Sequence, residues 1–184
     1  LFEYITGSLT EVTFHVYAAE DIKAADGVSE DYFKADELVG TITTDTNGIA
    51  QLGDLPVGKY YVKEAETVHG YVLDGEPRYV DLSYRDQDTP VVTYDEAWQN
   101  NRQKVKVTVL KKEKDTERVL AGGIFGLFTR EDIKNVGGDV LMEADTLIEL
   151  KTTDENGQII FTADLPVDGN YYVKELYAPD GFVT

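Results

Sequence analysis

Four polar side chains fall where strand alternation carries apolar residues. In Lys104-Val105-Lys106-Val107-Thr108-Val109-Leu110-Lys111 the three valines and Lys111 share one parity, and a strand sends that parity to one face. Glu64 follows Tyr60 and Val62 in the same way, and Glu175 follows Tyr171 and Val173. Val92, Tyr94, Trp98 and Asn100 also share a face, interrupted by Glu96. Burying such groups unpaired is costly, and burial drives ionisable ones toward neutrality. A neutral lysine amine is a nucleophile, and a protonated glutamate shuttles protons and polarises a carbonyl. An asparagine amide held in attack geometry accepts the amine. Together these groups make a Lys–Asn isopeptide bond, releasing ammonia without an external enzyme. The same pattern also fits strand ends that fray and leave their polar groups in water, and alternation alone leaves both readings open.

The elements that must position these groups occur twice. Thr43-Thr44-Asp45-Thr46-Asn47-Gly48 returns as Thr152-Thr153-Asp154-Glu155-Asn156-Gly157, and Asp54-Leu55-Pro56-Val57 returns as Asp164-Leu165-Pro166-Val167. Tyr60 to Glu64 returns as Tyr171 to Glu175, and Glu20-Asp21-Ile22 as Glu131-Asp132-Ile133. Four blocks in conserved order define two copies of one domain, 1–101 and 102–184. Asn-Gly flanked by apolar runs predicts a hairpin in each copy. Strands are expected at 12–17, 42–45, 49–52, 59–66, 78–84 and 91–99, and again at 170–177. Short strands with turn residues between them predict an all-β protein of two tandem Ig-like β-sandwiches. One helix is expected at 29–39, capped by Ser29, with Tyr32, Phe33, Leu38 and Val39 packed on the sheet. The joint at 101–105 has no Gly, Ser or Pro and predicts stiff coupling of the modules.

The 184 residues carry 35 acidic and 17 basic side chains, a net charge of −18. Such a chain is repelled by nucleic acid and by anionic lipid. The first copy is the more acidic, net −14 up to Asn101 against −4 from Arg102 onward. No apolar stretch approaches a membrane span. With no cysteine there are no disulfides and no thiolate chemistry. No metal site is expected. His15 and His69 have no ligand at suitable spacing, and the two Asp-x-Asn-Gly turns lack the length and terminal glutamate of a calcium loop. No cofactor is expected.

Lys111-Lys112-Glu113-Lys114-Asp115-Thr116 followed by Leu120-Ala121-Gly122-Gly123-Ile124-Phe125 resembles the opening of Cna protein B-type domains, also called SpaA-like or prealbumin-like, from Gram-positive pilins and surface adhesins. Tyr172-Val173-Lys174-Glu175 with Ala178-Pro179-Asp180-Gly181-Phe182 is similar to that family's glutamate strand and following turn. Tyr61-Val62-Lys63-Glu64 with Gly70-Tyr71 is the first copy's version, and Asn100-Asn101-Arg102-Gln103 looks like its closing strand. The resemblance implies that Lys111 is a bond-forming lysine, Glu64 and Glu175 are the catalytic acids, and Asn100 is a bond-forming amide. Asn100 is preferred to Asn101 because it shares parity with Trp98. It implies prealbumin-like sandwiches serving as stalk repeats outside a Gram-positive cell, not a turnover enzyme. Adjacent repeats of the same surface protein are the implied partners. An alternative is an adhesin module that recognises a host protein or glycan.

The copies depart from the pattern. The position matching Lys111 falls at Leu1 or just before it, and no lysine stands there. The second copy stops about 30 residues short of where the first reaches Asn100, so it is expected to lack its closing strands. Lys111 and Asn100 lie 11 residues apart, roughly 36 Å along an extended path, so they belong to different domains. The expectation is that this polypeptide alone forms neither bond, and that the bonding partners lie outside it.

Overall fold

The computed structural model describes every residue except Leu1, Glu3, Ile5, Thr6, Val136 and Thr184. Regular structure among the described residues is entirely β. The chain divides into two compact units, Ser8–Arg102 and Leu1–Gly7 with Gln103–Thr184. Phe2 thus groups with the second unit, whereas repeat matching assigns it to the first copy.

In the first unit, β1 (Thr13–Ala18), β2 (Leu38–Thr43), β3 (Gly58–Glu66) and β4 (Arg78–Leu82) form an antiparallel sheet in the order β2-β1-β3-β4. Strict alternation along β1 turns Phe14, Val16 and Ala18 inward. With Tyr60, Val80 and Ile22 they make the core, and Phe33, Val39 and Leu55 pack on it.

The second unit holds β5 (Thr108–Leu110), β6 (Ile124–Thr129), β7 (Ile133–Lys134), β8 (Val140–Met142), β9 (Leu147–Thr152), β10 (Gln158–Ile160) and β11 (Tyr171–Tyr177). A sheet of order β11-β6-β9 faces the pair β10-β5. Between them Phe125 and Leu127 of β6 meet Ile159, Phe161 and Leu165, with Val105, Val107, Val109 and Val173 completing a sandwich core. Phe2 packs on this core too, and its carbonyl accepts from Asp164 N at 3.2 Å.

The repeat extends to single hydrogen bonds. Thr44 Oγ1 donates to Leu9 O and accepts from Val12 N, both at 2.9 Å, as Thr153 Oγ1 does with Leu120 O and Gly123 N at 2.9 Å. Tyr60 and Tyr171 donate their hydroxyls to Pro56 O and Pro166 O. Both Asn-Gly turns close as expected. Asp45 and Asp154 accept from the asparagine N two residues on and from the N four residues on, while Gly48 and Gly157 take φ of 75° and 71°.

Three expected elements differ. Residues 29–39 form no helix. Ile22 pairs with Phe33 as an isolated bridge, Asp36 takes φ 64°, and the Asp26 carboxylate holds Val28 N, Ser29 N and Ser29 Oγ. Local side-chain bonding of this kind competes with helix. Phe33 and Val39 reach the core while their neighbours Tyr32 and Leu38 are exposed, which is the facing pattern of extended chain. Residues 49–52 and 91–99 run without ladder pairing, although the second copy's counterpart of the former is β10. Alternation reports which way side chains face, not whether a partner strand lies alongside.

Candidate functional site

The four singled-out side chains meet as two pairs, one in each unit. Glu64 lies on β3 opposite Phe14 of β1, and Glu175 lies on β11 opposite Phe125 of β6. A β-bulge sits beside each glutamate, between Thr13/Phe14 in the first unit and between Glu175/Tyr177 in the second. A bulge bends its strand and re-aims side chains, so the repeat preserves the device that directs the carboxyl as well as the residue itself.

In the first unit Glu64 is 3% exposed, a burial rare for a carboxyl. Its Oε2 accepts from Asn100 Nδ2 at 2.7 Å and from Asp74 N at 2.6 Å. Asn100 Nδ2 also donates to Val72 O at 3.1 Å. The segment carrying Asn100 is held by Val72 N donating to Asn101 O at 2.7 Å and by a bridge between Tyr71 and Arg102. Upstream, Trp98 packs edge-on against Phe14 at 5.0 Å, and the Arg78 guanidinium lies 3.8 Å from the Trp98 ring centroid. Arg78 also bonds Glu96, Ala97 O and Asp74. The hydroxyl of Tyr94, then Arg78, hold the Glu96 carboxyl below its ordinary range. Parity with Trp98 thus singles out the asparagine that meets Glu64, although residues 91–99 are not a regular strand.

In the second unit Lys111 follows β5, whose ladder with β10 continues through Lys111 N donating to Gly157 O at 2.8 Å. Its Nζ donates to Glu175 Oε2 at 2.8 Å, and both side chains are largely covered.

Each glutamate uses one oxygen. Among the described residues, Glu64 Oε1 and Glu175 Oε1 are buried and have no hydrogen-bond partner. An unsatisfied buried carboxyl oxygen is uncommon, and this one occurs at the same position of both repeats. One glutamate holds an amide and the other an ammonium, and each has an oxygen left for a second group. Leu1, which repeat matching sets opposite Lys111, lies outside the described residues. Asp74 and Val72 carry no sequence sign of their part, because they act through backbone groups that any residue supplies. Arg78 did carry one, since it shares parity with Val80 and Leu82.

Among the described residues no three His, Cys, Asp or Glu side chains are placed to hold a metal ion, and no helix is long and apolar enough to cross a membrane.

No curated protein sequence matches the chain. Among solved structures it is similar to the Bacillus anthracis TIE protein, with 24% identity and a TM-score of 0.59, covering 99% of this chain and 28% of that one. This chain therefore spans little more than a quarter of that relative, and the likeness supports the fold. It also matches a streptococcal ancillary pilin at 22% identity over 98% of this chain and 54% of that one, with a TM-score of 0.31. The shaft pilin SpaA of Lactobacillus rhamnosus GG matches at 19% identity over 98% and 86% of the two chains, with a TM-score of 0.35. The model of the SpaA prealbumin-like fold domain matches twice, over residues 5–97 and 105–184. With two sandwiches, two matching glutamates and both halves of the chain covered, this protein belongs to the family of SpaA prealbumin-like fold domains.

Proposed function

We propose that the two domains are structural repeats of a Gram-positive cell-surface pilin or adhesin, outside the cell, each of a type closed by a Lys–Asn isopeptide bond. Their partners are the adjacent repeats of the same surface protein. One observation carries this reading: each glutamate holds one member of a Lys–Glu–Asn set by Oε2 and has a buried Oε1 without a partner among the described residues.

The chemistry follows from those contacts. In the second unit Lys111 passes a proton to the Glu175 carboxylate, and its freed lone pair attacks the side-chain carbonyl carbon of an asparagine placed against Glu175 Oε1. The Nζ–C bond forms, the C–NH₂ bond breaks, Glu175 delivers its proton to the departing nitrogen, and the second proton shed by Nζ as it becomes an amide leaves with that nitrogen, so ammonia departs as ammonium. In the first unit Asn100 is the acyl group and Glu64 the proton carrier, with the amine arriving from a lysine at Glu64 Oε1. Such a cross-link restricts the unfolded chain as a disulfide does, by about 2–4 kcal/mol. Tying first strand to last also places a covalent bond across the direction of pull, which suits a load-bearing protein without cysteine.

The test is intact mass on a longer natural polypeptide that spans these domains and their neighbours. A deficit of one ammonia per closed domain is expected, with the second domain's deficit abolished by Glu175→Ala. Undiminished cross-linking in that variant refutes the assignment.

A further inference from the structure

The outer face of the first unit's sheet carries two stacked phenols, each bonded to a base. The alternation along β1 that turns Phe14, Val16 and Ala18 inward turns His15 and Tyr17 outward, and on β3 Tyr61 faces outward while Tyr60 is buried. Tyr17 and Tyr61 are direct cross-strand partners. Their rings stack with centroids 5.0 Å apart and planes 15° from parallel. Tyr61 donates its hydroxyl to Asp36 Oδ1 at 3.1 Å. The Tyr17 hydroxyl lies 3.2 Å from His15 Nδ1, which accepts from it when the imidazole carries its proton on Nε2. Tyr79 of β4, opposite Tyr61 in the ladder, continues the row at 5.6 Å and is 69% exposed, which opens the row to solvent.

The second unit keeps the stack without this chemistry. Phe128 and Tyr172 occupy the matching pair positions, with centroids 5.2 Å apart and planes 11° from parallel. Tyr172 donates to Asp145 as Tyr61 does to Asp36. A phenylalanine at the Tyr17 position therefore satisfies packing on this face. Gly126 stands where the first unit has His15. The extra phenol and the base beside it occur together, in one unit and not in the other, and stacking accounts for neither.

We propose that Tyr17 and Tyr61 are an oxidisable pair that a one-electron oxidant from solution joins into a cross-strand dityrosine. Partial burial, and then the bond to Asp36, push the Tyr61 phenol up, so it meets the oxidant with its proton in place. A base within hydrogen-bond reach takes such a proton as the electron leaves. Each ring loses one electron to the oxidant and one proton, from Tyr17 to His15 and from Tyr61 to Asp36. The two phenoxyl radicals then join through the ring carbons beside their oxygens. The hydrogens on those two carbons move as protons to the two oxygens and restore both phenols. In all, two electrons and two protons leave and one C–C bond forms. That bond ties β1 to β3, the two central strands of the sheet, in a chain that has no cysteine to staple them. The pair is separate from Glu64, which β3 turns to the opposite face.

The test uses the full 184-residue chain at low micromolar concentration, with light, tris(bipyridine)ruthenium(II) and persulfate as the source of one-electron oxidant. The expected product is a monomer lighter by two hydrogen atoms, with dityrosine fluorescence, whose digest keeps the peptides of Tyr17 and Tyr61 joined. Tyr17→Phe copies the second unit's stack and so keeps the fold; it is expected to lose this product altogether while other tyrosines still oxidise. His15→Gln keeps an acceptor beside Tyr17 that takes no proton, and is expected to slow the link severalfold, whereas a merely structural His15 leaves the rate unchanged. An unchanged rate in that variant overturns the assignment of the base. Links formed only between molecules, a link mapped to Tyr61 and Tyr79 or to tyrosines of the second unit, or oxidation with no loss of two hydrogens overturns the pair.

Discussion

Asn100 donates its side-chain amide to Glu64 Oε2 across 2.7 Å, and that contact fastens the segment around Trp98 to the first unit's sheet. Glu64→Ala strips the acceptor from both Asn100 and Asp74 N and leaves buried donors unsatisfied. The expected cost to the first unit is about 1–3 kcal/mol, with Glu64→Gln milder because it keeps the side chain's volume. Urea unfolding followed by Trp98 emission reads this unit alone. An Ala midpoint equal to the parent's contradicts the anchoring role.

Lys111 and Glu175 form the complementary pair, at 2.8 Å. Glu175→Ala leaves the largely covered ammonium without its carboxylate, and the second unit is expected to lose about 1–3 kcal/mol. Hydrogen exchange should quicken along β5 and β11 with no change along β1. Because each unit joins two groups of a three-group reaction, the 184-residue polypeptide by itself is expected to keep the full mass of its sequence. A deficit of ammonia or water in the unmodified chain would show that a bond had closed within it.

Much of this was legible in the sequence, for a physical reason. Strand parity is a rigid consequence of backbone geometry, so the shared facing of Glu64, Glu175 and Lys111 with apolar neighbours could be counted, while their roles were implied by the family resemblance. Repeated blocks made the two sandwiches visible for the same reason. Parity does not reveal what lies beside a strand. Residues 49–52 and 158–161 read alike, yet β10 has β5 alongside while residues 49–52 have no ladder partner. The 29–39 stretch failed differently. Its acidic first turn suggests a helix N-terminus, but Asp26, outside the window, claims the donors of Val28 and Ser29. The bulges beside the glutamates left no trace, since the residues in them, Ala65 and Leu176, are of ordinary strand type.

Gly157 is the tighter of the two turn glycines. Its φ of 71° already disfavours a side chain, and an added Cβ would sit 2.7 Å from Lys111 O and 3.1 Å from Leu120 N, both backbone atoms. Gly48 has nearly the same φ, but its nearest neighbour is the Ser8 side chain at 3.1 Å. Gly157→Ala is therefore expected to cost about 1 kcal/mol more than Gly48→Ala, beyond the backbone penalty of about 1 kcal/mol shared by both. It should also disturb the Lys111–Glu175 contact, visible as a shift of the Lys111 Nζ resonance. Equal costs for the two glycines would mean that Lys111 O moves aside freely.

Glu149 ties β9 to the segment that follows β10, and its charge sets a pH dependence for the second unit. Its carboxylate accepts from Thr162 N and Thr162 Oγ1 at 2.8 Å and from Ala163 N at 3.0 Å, with Lys151 Nζ 3.3 Å away. Burial pushes the Glu149 carboxyl up, but these donors outweigh it and hold the group below its ordinary value of 4.5. A carboxyl lowered on folding stabilises the native state fully above its unfolded value, and that contribution fades as pH falls through the folded one. Wild type is therefore expected to exceed Glu149→Gln by about 1–3 kcal/mol at pH 7, with the gap closing below pH 4.5. The measurement is paired urea melts at neutral and acid pH. The first unit has Gly40 at the matching position, with Leu52 Cδ2 only 3.0 Å from where its Cβ would be. It has no such carboxylate to give up, so β1 amide protection should show no matching difference between the two proteins at either pH. A gap that widens on acidification would mean that the burial cost outweighs the four donors, reversing the sign.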